Sequence, residues 1–213
     1  MNISGISNSV IRRLPRYYRF LSELKSAGIS RISSAELAKK MGVTASQIRQ
    51  DLNCFGGFGQ QGYGYNTELL KNEIGKILGL DNAVPAILIG AGNLGRAVAL
   101  HMNFDSLGFK LIGIFDRKES LIGQMVRNLP IRNVSSVDEF CRENLPKVAI
   151  FCVPKSEANA VAKNLVKCGI KAFWNFSHYD FASEYPDIIV ENMHFSDSLM
   201  TLSYKLTNDE KTD

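Results

Sequence analysis

Apolar residues recur at helical spacing near the start of the chain. Leu14, Tyr17, Tyr18, Leu21 and Leu24 share one face of a helix predicted over Leu14–Ala27. Pro15 suits its first turn, where a missing N–H costs nothing, and Gly28 ends it. Ser33-Ser34-Ala35-Glu36 reads as a capping box ahead of a short helix with Leu37, Ala38 and Met41 on one face. Gly42-Val43 forms a tight turn. Thr44-Ala45-Ser46-Gln47 reads as a second capping box, opening a helix to about Asn53 with Ile48 and Leu52 facing inward. Helix, glycine turn and capped helix make a helix-turn-helix pattern.

Phe55 to Tyr65 then sets five glycines among aromatics. Linkers are usually polar, so this composition predicts a β-hairpin wing. Asn66–Gly79 is a further amphipathic helix, with Leu69, Leu70, Ile74, Ile77 and Leu78 apolar, and the first domain ends near Asp81-Asn82. Beyond Ala83 the period changes. Ala86–Ile89 is wholly apolar, as a parallel strand buried on both faces requires. Further strands are predicted at Leu111–Phe115, Val148–Val153, Ala172–Trp174 and Ile188–Val190, with helices at Leu94–Met102, Val137–Arg142 and Glu157–Lys167. Ser196 is placed as the cap of a last helix from Asp197 to about Leu206, striped by Leu199, Leu202 and Leu206. The alternation predicts an α/β fold: a winged helix-turn-helix domain over 1–80, a Rossmann-type doubly wound parallel sheet over 81–195, and a C-terminal helix and tail over 196–213.

Charge sharpens this division. The whole chain carries +4, but residues 1–65 hold nine Lys/Arg against three acids, a net +6, leaving −2 for the remainder. A basic head on a slightly acidic body points to a polyanionic partner for the head. No apolar run reaches the ~20 residues that span a bilayer. The N-terminus lacks the pattern of a signal peptide, so a cytoplasmic location is expected. Cys54, Cys141, Cys152 and Cys168 include no CxxC pair and no histidine at metal-ligand spacing, and no metal site is expected.

Gly90-Ala91-Gly92-Asn93-Leu94-Gly95 reads GxGxxG between a predicted strand and a predicted helix, the context that gives the motif meaning. The first glycine makes the turn, the second lets backbone N–H groups reach a pyrophosphate, and the third lets helix and strand pack closely. Asp116 ends the next strand, 26 residues after Gly90. An acid there binds an adenosine ribose and repels a 2′-phosphate, favouring NAD(H) over NADP(H), although Arg117 and Lys118 beside it pull the other way. In the head, Ser46, Gln47, Arg49 and Gln50 face away from Ile48 and Leu52, as base-reading residues would, and Arg12, Arg13 and Arg16 are placed on phosphates. His101, His178 and His194 lack an evident Asp or Arg orienter, and no Tyr-xxx-Lys pair is present, so no catalytic residues are assigned. An NAD-dependent oxidoreductase and a CoA- or nucleotide-binding module remain the alternatives to a DNA-binding regulator.

The chain resembles the Rex family of bacterial redox-sensing repressors over nearly its whole length. The carriers are Arg13-Leu14-Pro15 with Tyr17-Tyr18, Ser33 to Ala38, Ser46 to Leu52, the Phe55 to Tyr65 segment, Gly90 to Gly95 and Phe115-Asp116. Val153-Pro154, Gly169-Ile170-Lys171, Asn175-Phe176 and Val190-Glu191-Asn192 complete them. The resemblance implies a transcriptional repressor on palindromic operator DNA, bound with NAD+ or without ligand and released by NADH. It implies a homodimer with an exchanged C-terminal helix. It adds Val153, Pro154, Asn175 and Phe176 to the cofactor site, and Gln60, Gln61 and Tyr63 of the wing to the DNA interface. Gln60-Gln61 stand where the family usually has Lys-Arg, Gln50 where a second basic residue is usual, Cys54 where Tyr is common, and Ser177-His178 where Ala-Pro usually follows. Arg19, His101 and His194 stand where some members join an Arg, a Tyr and an Asp in a switch network.

Overall fold

The N-terminal helix begins a turn and a half earlier than its hydrophobic stripe suggests. In a computed structural model, which describes residues 6–58 and 63–209, helix α1 spans Asn8–Ser26. Pro15 therefore lies inside the helix and not in its first turn. Its ring removes one backbone donor. Val10 and Leu14, both buried, carry the apolar face through the break, and Pro15 itself is exposed. The chain divides into two compact units, Met1–Asp81 and Asn82–Asp213.

In the first unit, α1 is followed by strand β1 (Arg31–Ile32), helices α2 (Ser34–Met41) and α3 (Ala45–Asn53), strand β2 (Tyr65–Asn66) and helix α4 (Thr67–Ile77). The Ser33–Glu36 capping box forms with both of its bonds, and Gly42 closes α2 in the left-handed conformation. The second box forms by half: Thr44 accepts from the Gln47 N–H, but the Gln47 side chain turns to Asp51. Asn66 caps α4. Residues 59–62, where the turn of the expected β-hairpin wing falls, lie outside the described residues. Tyr65 and Asn66 pair antiparallel with Ile32 and Arg31, so the ladder ties the end of this segment to the chain ahead of α2. Gln60 and Gln61 lie outside the described residues.

A buried carboxylate joins α1 to α3. Asp51 is fully buried in the first unit's core. It accepts from Arg13 Nε at 2.6 Å and Nη2 at 2.9 Å, from the Tyr17 hydroxyl at 2.6 Å and from Gln47 Nε2 at 2.8 Å. Four donors satisfy both oxygens, as a buried charge requires. Leu14, Tyr17, Leu21, Leu37, Ile48 and Leu70 belong to the buried apolar core of the same unit.

In the second unit, the order is β3 (Val84–Ile89), α5 (Asn93–His101), β4 (Phe109–Asp116), β5 (Met125–Val126), β6 (Leu129–Asn133), α6 (Val137–Asn144), β7 (Val148–Phe151), α7 (Lys155–Lys167), β8 (Ala172–Asn175), α8 (Phe181–Glu184), β9 (Ile189–Asn192) and α9 (Phe195–Asp209). The sheet runs β5-β6-β4-β3-β7-β8-β9, parallel except for the β5–β6 pair. Apart from edge strand β5 this is the Rossmann order, whose switch point lies between β3 and β7. Ile87 and Ile89 join the core under α6, α7 and α8, while Ala86 and Leu88 join the core under α5. The apolar run of β3 thus serves two layers at once. Strands β5 and β6 have no counterpart in the periodicity, because the first has two residues and the second carries Pro130. Ser196 does not cap the last helix; it lies inside α9, which begins at Phe195.

Burial alone would raise the Asp51 carboxyl, but the bonds from Arg13, Tyr17 and Gln47 outweigh it and hold the group below its ordinary value. Its contribution to stability is therefore complete above the unfolded carboxylate value of about 4 and is lost as pH falls through the lower folded value. Replacing Asp51 by Ala strands the Arg13 charge and the buried Tyr17 hydroxyl. We expect a loss of about 3 kcal/mol in the first unit, read by urea unfolding at pH 7. Between the wild type and Asp51→Ala, the difference should shrink below pH 4; a constant difference would remove the charge from the explanation.

Candidate functional site

At the switch point, the turn after β3 is shaped by two glycines that nothing else can replace. Gly90 has φ +94°, and a Cβ there would stand 2.6 Å from the Cys152 carbonyl oxygen at the end of β7. At Gly95, in the first turn of α5, a Cβ would stand 1.9 Å from the Gly90 carbonyl oxygen. The helix backbone therefore rests directly on the strand backbone. Gly92 is the N-cap of α5 and offers no side-chain bond to the helix. The first N–H groups of α5 are left without a side-chain cap at the positive end of its dipole, the arrangement that receives a phosphate.

This turn forms the floor of a cleft of about 760 Å3. Gly90 to Arg96 line it from below, Asp116 to Lys118 close the β4 side, and Cys152 to Pro154 with Glu157 close the β7 side. The GxGxxG residues Gly90, Ala91, Gly92, Asn93, Leu94 and Gly95 come together here with Asp116, Val153 and Pro154. Asp116 does more than face the cleft. Its Oδ2 accepts from the Ala91 N–H at 2.6 Å and its Oδ1 from the Lys118 N–H at 2.8 Å. One N–H of the glycine turn is thus taken by the acid and withheld from a phosphate. Each carboxylate oxygen keeps a second lone pair, enough for the two hydroxyls of a ribose. Burial pushes the Cys152 thiol up to about 12, so it is a neutral wall and not a thiolate.

Asn175 and Phe176 are not among the residues lining the cleft. Asn175 is fully buried and committed to structure. Its Nδ2 donates to the Tyr179 carbonyl and to Asn192 Oδ1, and its Oδ1 accepts from the Ser177 N–H and hydroxyl. It knits the end of β8 to β9 and to the following turn. Phe176 packs edge-on to Trp174 at 4.7 Å and lies 6.0 Å from Phe195 at the root of α9. The histidines are also outside the cleft lining. His194 stacks on His178, with Nδ1 atoms 2.8 Å apart. His101 is exposed at the end of α5.

In the first unit, the outward face of α3 carries Ser46, Arg49 and Gln50, all exposed, and Asn53 continues it. Arg49 donates to the Ser34 hydroxyl at 3.0 Å, which steadies it beside α2. Gln47 is held by Asp51 and is withdrawn from this face. Arg13 forms the ion pair with Asp51 through Nε and Nη2, and its side chain stays partly exposed on α1. Arg12 and Arg16 are exposed on α1, Arg16 also donating to the Met41 carbonyl at 3.0 Å. Tyr63 is exposed, and its carbonyl accepts from Arg31. Asp51 is the residue that sequence reasoning passed over, although its place three residues after Ile48 and next to Leu52 set it on the inward face of the helix.

Comparison with known proteins agrees with this division of labour. A family model described as a putative DNA-binding protein N-terminus matches residues 5–53, and one described as a CoA binding domain matches residues 81–179. The redox-sensing transcriptional repressor Rex of Caldanaerobacter subterraneus subsp. tengcongensis is 55% identical over 96% of this chain and 91% of its own length. Its namesake from Clostridium perfringens is 51% identical over 97% of each. Among solved structures, the Rex-family repressor RSP with NAD+ and operator DNA superimposes with a TM-score of 0.89 at 53% identity. That match covers 97% of this chain and 95% of RSP. RSP with NADH gives 0.90 at 50% identity, over 98% and 97%.

The close approach at Gly95 yields a direct test. Because the clash is backbone against backbone, Gly95→Ala must push α5 off β3. We expect the second unit to lose about 1–3 kcal/mol, the usual range for overpacking, measured as a drop in its thermal midpoint. Gly92→Ala, whose added methyl would meet nothing within 4 Å, should leave that midpoint nearly in place.

Proposed function

This chain belongs to the Rex family of redox-sensing transcriptional repressors, and from that premise we propose that it binds palindromic operator DNA through its first unit and NAD(H) through its second. NADH binding releases the operator; the NAD+ form and the empty form hold it. The observation that carries this reading is the cleft at the sheet's switch point. Its glycine turn, uncapped α5 N-terminus and Asp116 fit a dinucleotide: pyrophosphate at the helix N-terminus, adenosine ribose at Asp116, with Gly90, Ala91, Gly92, Asn93, Leu94, Gly95, Val153 and Pro154 forming the walls. Nearly full-length similarity to a repressor solved both with NAD+ and operator DNA and with NADH supports the pairing of ligand and DNA.

On the DNA side, Ser46, Arg49 and Gln50 reach base edges, and Arg12, Arg16 and Tyr63 take phosphates. Arg13 and Gln47 act behind them, by fixing α3 through Asp51. A palindrome requires a two-fold partner. The exposed stripe of α9 supplies a surface for one: Phe195, Leu199, Leu202 and Leu206 all lie more than half exposed on one face. A terminal helix with such a stripe is stable only when covered, and exchange between two copies covers both. No described helix is long and apolar enough to cross a membrane, and we place the protein in the cytoplasm with its DNA.

An NAD-dependent oxidoreductase would need a proton donor or acceptor beside the nicotinamide. The relatives are named as transcriptional repressors, which favours the regulatory reading.

The proposal is tested by a gel shift of the full-length protein on a candidate palindrome, titrated with each nucleotide. NADH should dissociate the complex and NAD+ should not; equal responses to the two would overturn the redox reading. Removing residues from Ser196 onward should convert dimers to monomers in light scattering and abolish operator binding. A truncated dimer of full affinity would reassign the interface.

A further inference from the structure

The cleft contains a charged bridge that the sequence pattern does not reveal. Arg117 follows Asp116 at the end of β4. Glu157 stands in the first turn of α7, beyond β7. The two elements lie on opposite sides of β3 in the sheet, yet the Arg117 guanidinium Nη2 meets Glu157 Oε1 at 2.6 Å. Both residues line the cleft. The bridge therefore joins the β4 side of the cleft to its β7 side, starting at the residue next to Asp116, where the adenosine ribose is placed.

An exposed arginine directly after the ribose-binding acid is a hazard for ligand choice. A guanidinium fork suits a phosphate monoester, and one beside the ribose 2′ position would recruit NADP(H). Lys118 adds a compact point charge without the fork. Glu157 answers this in two ways. It takes one nitrogen of the fork, Nη2, so a 2′-phosphate must compete with a carboxylate for the full fork. It also turns a lone positive charge into a neutral pair, leaving Asp116 as the uncompensated acid nearest the ribose. Because Arg117 is 71% exposed, the bridge contributes little to stability. Its weight lies in the charge that an incoming ligand meets.

We infer that Glu157 is a specificity-determining residue of the dinucleotide cleft, rejecting the 2′-phosphate of NADP(H) by holding the Arg117 guanidinium. This rests on the reading of the cleft as an NAD(H) site. It names as the selector a residue 41 positions beyond the acid of the glycine-and-acid fingerprint.

The test is calorimetric titration of the full-length protein with NADH and with NADPH at low ionic strength. In Glu157→Gln the Arg117 guanidinium is released, and the NADH-over-NADPH selectivity ratio should fall about three-fold, the worth of one exposed charged contact. That fall should shrink at 0.5 M salt, where screening shortens the reach of the freed charge. In Arg117→Ala the fork is gone and the unpaired Glu157 should raise the ratio, and in that background Glu157→Gln should lower it by less than it does with Arg117 present. The Arg117→Ala arm stands by itself if Glu157→Gln folds poorly. An unchanged ratio in the single variants, with NADH still bound, overturns the role of Glu157 and leaves the cleft assignment standing. Failure of the wild type to bind NADH overturns both.

Discussion

The close approach of two backbones governs the second unit. Gly95 rests against the Gly90 carbonyl at a distance that admits no side chain, and Gly90 rests in turn against the end of β7. With α5 seated this low, its N-terminus opens into the switch point between β3 and β7, and the cleft has its floor. A single added methyl at Gly95 would lift the helix and separate the uncapped N–H groups from the strand ends that frame them. Asp116 reinforces the same arrangement from the side by holding the Ala91 N–H. The turn that receives a ligand is thus already formed by protein bonds, and binding need not order it.

The first unit follows a different logic. Its functional helix is positioned by charge. Asp51 collects bonds from Arg13, Tyr17 and Gln47, and these draw α1 and α3 together across the core. Arg13 and Gln47, both expected at the DNA interface, also serve the core through these bonds. A buried carboxylate outbids solvent-facing roles, because leaving it unpaired costs more than a surface contact returns.

Local patterns made much of this legible in advance. The Ser33–Glu36 box, the Gly42 turn, the apolar run of β3 and the GxGxxG context each act within a few residues, and each appears in the structure as read. What stayed hidden depends on distance along the chain. The pairing of Arg31–Ile32 with Tyr65–Asn66, the partners of Asp51, the bonding of Asn175 to Asn192 and the Arg117–Glu157 bridge all join residues that no window holds together. Pro15 misled for a related reason. Its preference for a first turn is real, but burial of Val10 and Leu14 outweighs it.

The Asp51 network also divides the recognition helix into two kinds of position. Ser46, Arg49 and Gln50 project outward with no part in the core, while Gln47 is bonded into it. On the proposed assignment, substitutions at the first three would change what the helix reads while leaving the Asp51 network intact. A substitution at Gln47 is felt by Asp51, Arg13 and Tyr17 as well. Over evolutionary time the binding preference of such a helix can drift along its outer residues at almost no cost to folding, while the inner ones change only in concert. On the proposed assignment, new DNA preferences would arise at positions 46, 49 and 50, while positions 13, 17, 47 and 51 are bound to one another by the Asp51 network.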